Sequence, residues 1–78
     1  MIAHMTYQES IAVIKELMAA KTKEELQDRM GVHMSRVDGA FFSVVNDVAQ
    51  QLRAQGKPAA AQHLTNIGDA LARLRFMI

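Results

Sequence analysis

Between residues 37 and 52 the apolar side chains Val37, Phe41, Val44, Val45, Val48 and Leu52 recur at helical spacing, and Phe42 and Ala49 widen their stripe to about 160° at about 100° per residue. So wide a face exceeds what one packing partner covers, so the rest of the chain has to place two neighbours against it. Ser43, Asn46, Asp47, Gln50 and Arg53 fall on the opposite, solvated side, and Gly56 ends the segment. The spacing predicts a helix, helix 3, over about 37–55.

The neighbours are legible from their start signals. Thr6 with Glu9 has capping-box spacing and precedes Tyr7, Ile11, Ile14 and Met18 on one face, so helix 1 is expected over about 7–20. Thr22 with Glu25 repeats the signal; Leu26 and Met30 follow one turn apart, and Gly31 reads as a stop, so helix 2 is expected over about 23–30. Residues 31–37 read as a packed connector carrying Val32, Met34 and Val37, and Ser35 with Asp38 reads as the box that opens helix 3. Pro58 suits the first turn of helix 4, whose seam is Leu64, Ile67, Leu71 and Leu74. Gly68 sits mid-helix at a cost of about 1 kcal/mol relative to alanine, which predicts close approach of a neighbour there.

The expectation is an all-α domain of four helices in which helix 3 and helix 4 form an antiparallel hairpin packed against helix 1. No segment alternates convincingly enough to be a strand. With 78 residues, a chain of this length buries about 60% of its unfolded surface, enough for a single domain over 1–78 and no second core.

Several classes of chemistry are excluded or disfavoured. The chain has no cysteine, hence no thiolate nucleophile, disulfide or cysteine-bound zinc. His33, Ser35 and Asp38 are the residue types of a hydrolytic triad, but they lie within six positions, where capping accounts for Ser35 and Asp38. His4, His33 and His63 include no pair at i, i+4, so no metal site is expected, and nothing calls for a cofactor. Glu24, Glu25 and Asp28, beside Lys21 and Lys23, read as a solvated face of mixed charge. No catalytic residue is expected.

Nine Lys and Arg against eight Asp and Glu leave a formal charge of +1, too little for a dedicated nucleic-acid binder. The candidate basic contacts are Arg53, Lys57, Arg73 and Arg75, and an antiparallel hairpin sends the first two and the last two to opposite ends, about 25 Å apart. Nucleic acid is therefore the weaker reading, open to an oligomer that gathers those arginines. No secretory leader or run of 18 apolar residues is present, so a cytoplasmic protein without membrane contact is expected.

Half of the residues are apolar, more than so small a core readily absorbs. Met34, Phe42, Phe76, Met77 and Ile78, with Ile2 and Met5, are the candidates for a partner surface. Together they point to a non-catalytic protein-interaction or scaffolding module, and to a homo-oligomer in particular, because a small core gains from burying more surface. The further partner is not specified.

The second half also resembles a known unit. Val45, Val48, Ala49 and Leu52 follow the order of large and small residues on the first helix of a tetratricopeptide-like hairpin, and Gly56, Ala61 and Gly68 resemble its turn and the small positions of its second helix. Thr65 and Arg73 stand where that family usually has an aromatic residue and a proline. The stretch from about Ile11 to Arg75, with its "FFSVVNDVAQQLRAQGKPAAAQHL" hairpin, looks like the helical region that accompanies such repeats in bacterial proteins carrying CHAT peptidase domains. What the resemblance implies is protein interaction, with no catalytic residue carried over.

Overall fold

A computed structural model describes residues 5–77, and the side chains of residues 5–74. Four helices follow one another, α1 Tyr7–Met18, α2 Lys23–His33, α3 Gly39–Ala54 and α4 Pro58–Met77, with a single 3₁₀ turn over Met34–Arg36 and no strand among the described residues. The all-α reading with an α3–α4 hairpin holds, and α3 packs most extensively on α4 and next on α1. The two neighbours demanded by the wide stripe are these.

Local chemistry fixes the helix ends. At α1 both arms of the capping box form: the Thr6 amide donates to Glu9 Oε1 at 3.0 Å and the Glu9 amide donates to Thr6 Oγ1 at 3.1 Å. At α2 only one arm forms, the Glu25 amide donating to Thr22 Oγ1 at 3.1 Å, while the Glu25 carboxylate lies 3.6 Å from Arg29. Between α3 and α4, Gly56 takes a left-handed φ of 77°. Its amide donates to Arg53 O at 3.1 Å and the Lys57 amide to Leu52 O at 2.8 Å, the paired bonds of a Schellman stop. Pro58 then opens α4, where a missing amide hydrogen costs nothing.

Three expectations about boundaries and faces are corrected. Gly31 does not end α2; it stays helical, its Cβ position faces open space, and the helix runs on to His33. One glycine costs about 1 kcal/mol of helix propensity, and burying Met30 just before it outweighs that. Ser35 does not cap α3. Asp38 does, its Oδ1 accepting from the Phe41 amide at 2.9 Å, so α3 starts at Gly39 and Ser35 lies exposed in the 3₁₀ turn. On α1 the buried residues are Ser10, Val13, Ile14 and Leu17, a face turned by about 80° from the expected one, which leaves Tyr7 54% exposed. Two apolar stripes overlap on this helix. The one containing Val13 and Leu17 is buried together with the small Ser10, while Tyr7, on the other, keeps its bulky phenol and hydroxyl in water.

The core gathers Val13, Ile14 and Leu17 of α1, Met30 of α2, Phe41, Val44, Val45 and Ala49 of α3, and Ala61, Leu64, Ile67 and Leu71 of α4, joined by Met5 and Val37. Met5 had been expected at a partner surface; it is 6% exposed, and its amide donates to Asp38 Oδ2 at 3.4 Å. Leu74, expected in the α4 seam, is 41% exposed, and Val32 of the expected packed connector is 71% exposed. At the α3–α4 seam a Cβ on Gly68 would lie 3.2 Å from Val45 Cγ1, so the close approach predicted at this glycine is present. Ala49 and Ala61, both buried, keep the same seam narrow.

Candidate functional site

The α3–α4 seam opens outward into a shallow depression of about 190 Å³ lined by residues of these two helices alone. Val45 and Gly68, both buried, form its floor; Phe42, Thr65 and Ala72 are half-buried walls, and Asn46 and Asp69 stand exposed on the rim. The depression follows from composition: small residues on α4 at 65, 68 and 72 leave room that larger ones would fill. Phe42 owes its place to helical register, one residue past the fully buried Phe41, with the two rings edge to face at 5.8 Å between centroids. Thr65 donates its hydroxyl to Ala61 O at 3.0 Å, which turns its methyl group to the remaining contacts.

Of the residues expected at a partner surface, Phe42 lines this depression and Met34 lies half-buried against the core from the 3₁₀ turn. The structure therefore places these two on different elements. The side chains of Phe76 and Met77 and the whole of Ile78, like Ile2, fall outside the described residues. Among the basic candidates, Arg53 and Lys57 are exposed beside the Gly56 turn, and Arg73 is exposed fifteen residues beyond Pro58, about 22 Å along the α4 axis. They form no common patch in one copy of the chain, and the Arg75 side chain lies outside the described residues.

A second polar constellation was missed by the sequence reading. His33 Nε2 lies 2.7 Å from Glu16 Oε2, Arg29 Nη1 donates to Glu16 O at 2.6 Å, and Arg36 Nη2 donates to Glu9 Oε2 at 2.7 Å. These contacts tie α2 and the 3₁₀ turn to α1. His33, Arg29 and Arg36 share a recurring spacing of three to four, which is the only trace of this in sequence; the complementary Glu9 and Glu16 on α1 recur at seven. The Glu9 carboxyl is held below its ordinary value of 4.5, first by the Thr6 amide, then by the Thr6 side chain and the Arg36 guanidinium. Arg36 and Glu9 are each about half exposed, so their pair orients the connector more than it stabilises the fold.

The would-be triad is taken up structurally. Asp38 caps α3, and His33 faces Glu16. No group of three or more His, Asp or Glu among the described residues is arranged to hold a metal ion. No helix among the described residues is long and apolar enough to cross a membrane. Two buried polar atoms have no hydrogen-bond partner among the described residues: Ser10 Oγ, inside the core, and His33 Nδ1.

No family model, no curated protein and no solved structure matches this chain.

Proposed function

We propose that the protein is a non-catalytic interaction module that associates with itself, built on a tetratricopeptide-like α3–α4 hairpin. The observation that carries this reading is the depression along the outer α3–α4 seam, with a half-buried phenylalanine at its edge and small residues along one wall. An aromatic side chain beside a shallow apolar hollow is the kind of feature on which interface affinity concentrates. The would-be triad supports the same reading: Asp38 is occupied in capping α3 and His33 in its contact with Glu16 of α1.

Sedimentation equilibrium over a range of protein concentration tests the reading. A rise in weight-average mass with concentration is expected, and a mass fixed at that of one 8.7 kDa chain up to about 1 mM overturns it.

A further inference from the structure

The geometry points to the outer face of α4 as a two-fold interface with a second copy of this chain, the two α4 helices running antiparallel so that Asp69 of each copy meets Arg73 of the other. This inference rests on the self-association proposed above and specifies its surface.

The first support is charge complementarity. In an antiparallel pair with its two-fold axis near residue 71, position 69 of one helix faces position 73 of the other, and both contacts form at once because the interface is isologous. Asp69 and Arg73 are exposed, and neither makes an ion pair among the described residues, although their i, i+4 spacing would permit one within the helix. Both charges are thus available to a partner.

The second support is shape. Thr65, Asp69 and Ala72 recur at i, i+4 and i+7, so they lie on one face of α4. Two of these are small, and with Gly68 beside them they admit a second helix backbone at short range. Phe42 of α3 borders the same face and gives the entering helix an aromatic flank. With the axis near residue 71 the two α4 helices overlap over residues 65–77, about 18 Å of helix, and Phe42 of α3 flanks the contact. A nucleic acid fits less well, because the rim of the depression carries the Asp69 carboxylate and the neutral Asn46, neither of which attracts phosphate.

The test is a charge cycle read by sedimentation equilibrium, with circular dichroism to establish that each variant is folded. Asp69→Arg sets two pairs of arginines against each other, and Arg73→Asp sets two pairs of aspartates. Each is expected to raise the dimer dissociation constant at least about tenfold. The double variant Asp69→Arg, Arg73→Asp restores opposite charges across the axis and is expected to recover most of the affinity. Because the chain has no cysteine, a single Ala72→Cys next to the axis should oxidise to a covalent dimer, whereas Ala12→Cys on the exposed side of α1 should not. If the unaltered protein self-associates while the charge variants leave its affinity unchanged and Ala72→Cys cross-links no faster than Ala12→Cys, this surface is wrong and self-association stands. A protein that is monomeric throughout overturns both.

Discussion

Gly31 separates two descriptions of α2 by the sign of one substitution. If the helix stopped at this residue, glycine would occupy the left-handed position after the last turn, and alanine there would cost about 1–2 kcal/mol. In the structure Gly31 lies within α2, its φ is not positive, its carbonyl accepts from the Met34 amide, and a Cβ would meet nothing within 4 Å. Gly31→Ala should then stabilise by about 1 kcal/mol, the difference in helix propensity and backbone entropy between the two residues. The unfolding entropy of a chain this size is about 0.16 kcal/mol per kelvin, so the melting temperature should rise by about 6 °C. Thermal unfolding followed by far-ultraviolet circular dichroism measures this, with Gly56→Ala as the opposite control. Gly56 has a φ of 77°, and its substitution should lower the midpoint by at least about 6 °C. A fall in the midpoint of Gly31→Ala would refute the reasoning, because it would mean that α2 ends where glycine first suggests.

Three further outcomes follow from the packing and the caps. Ser10→Ala removes a fully buried hydroxyl that has no partner among the described residues and adds helix propensity, so it should raise stability by about 1–2 kcal/mol in denaturant titration; a loss would show that the hydroxyl is bonded. Met30→Ala should cost about 2–3 kcal/mol, since Met30 is the buried anchor of α2, and an effect below about 1 kcal/mol would mean that the core does not depend on it. Glu9 has a lowered folded value, so its contribution is present above its ordinary value of 4.5 and is lost as the pH falls through the folded value. Melting temperatures of the protein and of Glu9→Gln should therefore converge as the pH falls below 4.5, and curves that stay parallel into acid would contradict the assignment.

The elements of the fold were largely legible in sequence because their signals are local. The Thr6–Glu9 box, the Thr22 cap, the Gly56 stop and Pro58 each act within one turn of helix, and each is found where its spacing places it. Gly31 was misread because a glycine within a helix and a glycine ending one look alike until the contacts of Met30 decide between them. Asp38 displaced Ser35 as the cap because both are good caps three residues apart, and the Met5 amide, 33 positions away, also reaches the carboxylate of Asp38. The face of α1 depended on where α3 and α4 lie, which no single segment encodes. The candidate site was half visible: Phe42 belonged to the widened stripe and Gly68 announced a close contact, but only the packed hairpin brings Phe42, Thr65 and Ala72 around one depression. The ties between Glu16, Arg29 and His33 join residues 13 and 17 positions apart, and the helical spacing of the two sets of charges does not say that they meet.

The attachment of α2 sets the order in which this small fold comes apart. Its one fully buried residue is Met30, joined by the half-buried Leu26, and its other contacts with α1 are polar and partly in water, whereas α1, α3 and α4 each bury three or four apolar side chains in the shared core. Regions with few buried apolar contacts open below the global unfolding free energy. Among the four helices, α2 is therefore the one whose release costs least. That release uncovers an apolar strip of α1 while leaving the α3–α4 hairpin assembled, so the molecule behaves as a three-helix body carrying a detachable strap, and the strap is on a different element from the proposed interface.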